Sequence, residues 1–283
     1  MSIAGQLVCD IPSGISLRTE LSLRNLQFAA VNSYLHERTD GQVPSIIFGR
    51  DDQGRHGNFH PDVYRQICDD NGWSKRLEKV HTSYKRVRLR SSWQWKELDC
   101  SNSSDALLMN IFCFPEVLLR TPVRAMLGIG PDARPEFGFK PRTPLRNTKS
   151  DNTEIDMRVG DLLVEAKLTE SDFQCGSFSL ISRYRDLEVV FDLSDLPTRN
   201  GKQVGYQLIR GTLAAHASNC SFCVFCDSRR SDLVEIWYTV MRAVRLFDLR
   251  CRLKLLTWQE LVSVLPESLQ EFLIVKYGIH PVV

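Results

Sequence analysis

The sequence predicts an α/β protein: a mixed β-sheet flanked by helices, with a mainly helical N-terminal extension. Three observations predict it. From residue 103 onward, helix-like and strand-like hydrophobic periods alternate in the order helix, strand pair, helix, strand, helix, strand. The strand pair, 154–159 and 162–168, is split by Gly160-Asp161, a two-residue hairpin signal. Before residue 100 the helical period dominates and loop-rich stretches separate the segments. The division near residue 100 gives an N-terminal extension, 1–100, and a second region, 101–283. That agrees with a prior of one or two domains at roughly 150 residues each.

The elements follow in order. Leu17, Leu21, Leu23, Leu26, Phe28, Ala29 and Val31 recur at helical spacing across 15–37. Residues 38–59, rich in Gly, Asp, Asn and Arg, are expected as loop. His60-Pro61 opens a second helix with proline in its first turn, carrying Val63, Tyr64 and Ile67. Residues 72–80 add a short helix. Across 82–96, Tyr84, Val87, Leu89, Trp93 and Trp95 predict one or two strands. Ser103-Ser104-Asp105 reads as a helix start, and Pro115 or Pro122 interrupts that helix or begins another. Four of the twelve prolines fall in 128–153, so a long connection or irregular strand is expected there. Helices are predicted at 203–218, 231–245, 258–264 and 267–277, and strands at 220–226 and 251–257.

Composition sets the outer bounds. The 283 residues are 43% hydrophobic and 25% charged, which allows a sizeable core and excludes collagen-like or wholly disordered chains. No apolar run reaches the ~18 residues of a spanning helix, and the first residues lack a basic and apolar leader. Neither a membrane span nor a secretory signal is expected. Nine cysteines, an odd and scattered set, suit a reducing cytosol better than a disulfide framework, so a cytoplasmic location is expected. There is no Gly-rich phosphate loop and no G-x-S-x-G element, which argues against an NTPase motor and a serine hydrolase.

The chemistry concentrates in residues 153–170. With Gly160-Asp161 as a type II′ turn, Val159 faces Leu162, Arg158 faces Leu163, Met157 faces Val164, Asp156 faces Glu165 and Glu154 faces Lys167. Alternation then puts Ile155, Met157, Val159, Leu162, Val164, Ala166 and Leu168 on a core face. Glu154, Asp156, Arg158, Leu163, Glu165 and Lys167 take the other. Two carboxylates standing opposite each other repel. A hard divalent cation such as Mg²⁺ converts that repulsion into affinity, and Lys167 could then orient a water or stabilise negative charge on a phosphodiester. The same spacing also suits a solvated face, on which Glu154–Lys167 is a cross-strand ion pair and Glu165 pairs diagonally with Arg158.

Asp156 followed, after eight residues, by Glu165-Ala166-Lys167 resembles the signature of the PD-(D/E)XK nuclease superfamily, the restriction-endonuclease-like fold. The resemblance covers about 103–258, and the family's proline before the first Asp is replaced by Ile155. It implies a restriction-endonuclease-like core and a metal-dependent nuclease giving 5′-phosphate and 3′-hydroxyl ends. Mg²⁺, or Mn²⁺ in its place, would be held by Asp156, Glu165 and the Ala166 carbonyl, with Lys167 positioning the attacking water. Gln207, on the helix opened by Tyr206-Gln207-Leu208-Ile209-Arg210, matches a glutamine that lies near the metal site in several branches. It also reads as an ordinary polar helix residue. Asp105 is the candidate for a further acidic metal-site residue on the first core helix, with Asn110 as a polar contact. Asp105 reads more simply as a first-turn acid complementing the helix dipole.

Other signals carry less. Residues 74–96 hold eight basic residues against Glu78, with aromatics interleaved. Lys85, Arg86, Arg88 and Arg90 are the candidate nucleic-acid contacts, three arginines sharing one face as a phosphate rail. A charge-guarded edge strand is the other reading. Cys220, Cys223 and Cys226 invite a zinc reading, but a strand turns Cys223 away from the other two and no second pair closes the set. They read more simply as a buried strand. His56 and His60 near Asp51 and Asp52 match no ligand spacing.

The sequence thus leads to a cytoplasmic Mg²⁺-dependent nuclease acting on nucleic acid, DNA favoured, with no membrane association. A homodimer is expected if both strands of a duplex are cut. The alternatives are a non-catalytic nucleic-acid-binding protein that keeps the nuclease fold, and a metal-dependent hydrolase of another substrate.

Overall fold

Alternating apolar residues on either side of a tight turn produce the central hairpin. The computed structural model describes residues 13–40, 43–80 and 95–282. Its main sheet has five strands: β1 (Pro135–Phe139), β2 (Ile155–Val159), β3 (Leu162–Ala166), β4 (Ser221–Cys226) and β5 (Leu253–Thr257). They lie in the order β5-β4-β3-β2-β1. β2 runs antiparallel to both β1 and β3, while β4 is parallel to both β3 and β5, so the sheet is mixed. Val159 pairs with Leu162, Arg158 with Leu163 and Met157 with Val164, the predicted register. Gly160 has φ +57° and Asp161 is not among the positive-φ residues, as a type II′ turn requires.

Helices cover both faces. Those that matter to the site are α1 (Ser13–Val31), α2 (Pro61–Asp69), α3 (Ser104–Phe112), α4 (Thr121–Leu127), α5 (Tyr206–Ser218), α6 (Ser231–Arg242), α7 (Trp258–Val262) and α8 (Glu267–Tyr277). One face buries Leu163, Phe222 and Val224 against Leu208 and Leu213 of α5 and Trp237 of α6. The other buries Met157, Val164 and Phe225 against Leu107 of α3, Trp258 of α7 and Tyr277 of α8. Leu17 and Leu21 of α1 join that second core. Every position of β3 is therefore buried, as expected for a strand paired on both edges with both faces covered.

Local chemistry explains the ends of these elements. Ser103 caps α3 by accepting the Ala106 N–H at 3.2 Å. His60 caps α2, and Pro61 and Pro122 sit in the first turns of α2 and α4. Gly211, midway along α5, lies so close to Phe222 that a β-carbon would collide with its ring.

Two expectations are corrected, and a third is met. Residues 38–59 are not all loop: His36–Arg38 pairs with Ile46–Phe48, because the apolar Ile-Ile-Phe run finds a buried position. Within 128–153 the irregular strand is found as edge strand β1, with Gly138 at φ +65° and Pro135 at the first position, where a missing N–H is tolerated. Ile155 does not share Met157's core. It packs with Leu163 and Phe173, and the β2–β3 ladder stops at Met157. The strands expected at 82–96 fall mostly on 81–94, outside the described residues. A small sheet of Cys175–Ser177, Thr198–Arg199 and Lys202–Val204 fills the stretch without a clear period, and its last strand takes the first residues of the helix expected at 203–218, which begins at Tyr206. Among the described residues no helix is long and apolar enough to cross a membrane.

Candidate active site

The hairpin ends by bringing its charged residues together. Where the ladder stops, Asp156 Oδ2 accepts the Ala166 N–H at 2.7 Å. Lys167 Nζ donates to Glu165 Oε1 at 2.7 Å, and the two side chains are 6% and 1% exposed. Asp156 thus sits beside the Glu165-Ala166-Lys167 segment, though Asp156 and Glu165 are not paired in the ladder. The burial of Glu165 and Lys167 removes the solvated-face reading. Glu154 pairs with Arg76 rather than Lys167, and Arg158 donates to the Gly160 carbonyl and lies over Phe139.

The electrostatics follow from the burial. Burial and the neighbouring Glu165, with Asp105 adding to them, push the Asp156 carboxyl well above its ordinary value. Burial opposes the charge on Lys167, yet Glu165 and Asp156 outweigh it and hold its ammonium above the usual lysine value. Around Lys167 the backbone is pinned. Its N–H donates to Phe225 O at 2.8 Å, and its carbonyl accepts from Trp258 Nε1 at 2.9 Å. Glu170 fixes the next turn by accepting from Leu168 N and Ser104 Oγ, each at 2.6 Å. Buried Arg230 clamps the Glu170 carbonyl at 2.7 Å.

A second charged layer lies against the first. Arg76, in the 3-10 turn Ser74–Glu78, reaches Asp105 Oδ2 at 2.8 Å and Glu154 Oε2 at 3.3 Å. Lys79 reaches Glu97 at 3.1 Å, Asp105 at 3.6 Å and Glu154 at 3.8 Å. Sequence reasoning missed Arg76, Lys79 and Glu97 as site residues. Their partners lie 18 to 78 positions away, and no local period reports such contacts.

The remaining candidates separate. Gln207 lies on α5 one turn before Arg210, whose Nη2 donates to the Glu154 carbonyl at 3.0 Å. The Gln207 side chain makes no hydrogen bond among the described residues. Asn110, buried on α3, donates to Asn58 O and accepts from His60 N, tying α3 to α2 rather than joining the carboxylates. Lys85, Arg86, Arg88 and Arg90 lie outside the described residues. Cys220, just before β4, and Cys223 and Cys226 on it are free and buried, and burial pushes the Cys226 thiol up to about 12. His56 meets Asp99 at 3.2 Å, and His60 is a helix cap.

The oxygen donors fit a hard cation. Asp156 Oδ1 and Glu165 Oε2 make no hydrogen bond to a described residue, so within this part of the chain each carboxylate has one oxygen that could meet a cation. Two side-chain carboxylates converge in this way, not three: no group of three or more His, Cys, Asp or Glu arranged to hold a metal occurs among the described residues.

Fold and site together define a class: an α/β protein that gathers a half-buried carboxylate, a buried carboxylate and a buried lysine at the end of the central hairpin of a mixed sheet. The family Restriction Endonuclease associating with ARP (REase-ARP) matches residues 31–278, and the chain belongs to it. That membership gives the chain a nuclease-related role. No curated protein and no solved structure matches it.

Proposed function

We propose that the chain is a cytoplasmic, Mg²⁺-dependent nuclease with a restriction-endonuclease-like core, hydrolysing phosphodiester bonds of DNA. The observation that carries this reading is the gathering of half-buried Asp156 with buried Glu165 and Lys167, each carboxylate having one oxygen that no described residue engages. Asp156, Glu165 and the Ala166 carbonyl would hold the ion, with Mn²⁺ able to replace Mg²⁺. When bound, such an ion supplies charge neutralisation and a water of lowered pKa.

The chain's own groups divide the remaining work. Lys167 is held protonated by its carboxylate neighbours. Its ammonium would donate hydrogen bonds to the attacking water and stabilise negative charge on the phosphate. Glu165 fixes the Lys167 ammonium at 2.7 Å. Gln207 would support the site from α5, next to the face that holds the Glu154 backbone through Arg210. Lys85, Arg86, Arg88 and Arg90 would contact phosphates. Following the family's description, the chain would work together with an ARP component, which co-purification from cells expressing both tests directly.

The test is cleavage of supercoiled and linear duplex DNA, with single-stranded DNA and RNA as comparisons, in Mg²⁺, Mn²⁺ and chelator. Metal-dependent cutting by the wild type and its loss in Asp156→Asn is the expected result. Nucleic-acid binding without cleavage under any of these conditions would instead establish the non-catalytic binding protein.

A further inference from the structure

The second charged layer bears on how many ions the site takes. Among the described residues, Arg76 and Lys79 engage Glu97, Asp105 and Glu154, while Asp156 and Glu165 gather around Lys167. Asp105 is 10% exposed on its side chain and is engaged by both Arg76 and Lys79. It is also close enough to Asp156 to act on its charge.

The two cations are built into place. Trp73 Nε1 donates to the Pro135 carbonyl at 3.2 Å, which ties the start of the turn to β1. Beyond it, Glu97 N donates to Lys79 O at 2.9 Å, and Val80 forms a bridge with Lys96. Gly138 of β1 has φ +65°, and a β-carbon there would collide with Arg76 Nη1 and lie 3.1 Å from Glu154 Oε2. The strand thus leaves, at the one residue whose register places it opposite Asp156, the gap through which the guanidinium reaches the carboxylates. Arg76 Nε is buried without a hydrogen-bond partner, so the guanidinium is fixed by its charge contacts.

We propose that Arg76 and Lys79 stand where a second divalent cation would, so that Asp105 and Glu154 are satisfied by the chain itself and the site takes a single ion on Asp156 and Glu165. This rests on the metal-dependent reading above. Arg76 and Lys79 are positioning residues: they act through the carboxylates and touch neither ion nor phosphate. Removing them leaves Asp105 and Glu154 without cations beside the remaining pair, which strengthens cation binding there.

The experiment is Mn²⁺ titration of the full chain by calorimetry, with bound ion counted by electron paramagnetic resonance. Four proteins are compared: wild type, Asp105→Asn, Asp156→Asn and the double variant Arg76→Gln/Lys79→Gln. The expected results are one ion in the wild type, one ion in Asp105→Asn with affinity changed less than about threefold, and none in Asp156→Asn. The double variant should take a second ion or bind the first roughly five- to tenfold tighter, about the effect of one kcal/mol of Coulomb energy. Near-ultraviolet circular dichroism confirms that each variant is folded, and the two charge-layer variants test the idea from opposite sides. Two ions in the wild type, or loss of binding in Asp105→Asn equal to that in Asp156→Asn, overturns the inference and leaves the metal-dependent reading standing. No ion in the wild type overturns both.

Discussion

Lys167 Nζ lies 2.7 Å from Glu165 Oε1 with both side chains almost wholly buried. A buried pair loses the hydration of two charges and is held by their mutual attraction, so removing one partner strands the other. Lys167→Met should therefore lower stability by about 3–5 kcal/mol. The double variant Glu165→Gln/Lys167→Met should recover much of that loss while staying inactive. Urea unfolding of the singles and the double, read as a cycle, checks this. Additive losses would mean the pair is not coupled.

Asp156 makes stability depend on pH. Its carboxyl is raised above the ordinary 3.8 by burial first and by Glu165 second. Between the unfolded and the raised folded value, the native state holds a proton that the unfolded chain has lost. Stability therefore falls as pH rises through that window, in the absence of divalent ions. Asp156→Asn should flatten the decline. Thermal melts from pH 4 to pH 8 in chelator measure it, and parallel curves for the two proteins would mean another group sets the slope. Divalent-ion binding should strengthen over the same range, because the ion displaces the Asp156 proton.

How far this was legible in the sequence depends on the range of the interaction. The hairpin register came through because a two-residue turn fixes it: Val159–Leu162, Arg158–Leu163 and Met157–Val164 follow once Gly160 is read as the turn residue. The helix starts at Ser104 and Pro61 came through because caps are local. Burial of Glu165 was not legible, since it depends on β4 pairing along β3 and on helices covering both faces. Nor was the meeting of Arg76 with Glu154, for which Gly138 must be glycine and Trp73 must anchor on β1. Asp105 looked like a dipole acid from its position, and its contacts with Arg76 and Lys79 exist only in three dimensions.

Gly211 gives a test of the packing that carries Gln207 and Arg210. Alanine is the better helix former at an ordinary interior position. Here its β-carbon would enter the Phe222 ring, which is fully buried between α5 and Trp237. Gly211→Ala should destabilise by about 1–3 kcal/mol, as overpacking does, despite the gain in propensity. Denaturant midpoints decide it. A stabilised variant would mean that α5 can move off the sheet at little cost.

The basic stretch at 85–90 makes its prediction through salt. Each phosphate contact releases condensed counterions, so the logarithm of affinity falls with the logarithm of salt by about 0.9 per contact on duplex DNA. Neutralising Arg86, Arg88 and Arg90 together should weaken binding and reduce that slope by roughly two to three. The sequence of the DNA should matter little to the change, since phosphates carry no base information. Binding by fluorescence anisotropy from 50 to 300 mM salt, in chelator so that no cleavage intervenes, gives the slope directly. An unchanged slope would assign the three arginines to a role away from the nucleic acid. Arg76 and Lys79, already committed to Asp105 and Glu154, provide the contrast. Their neutralisation should leave the slope near its wild-type value and act on metal binding instead.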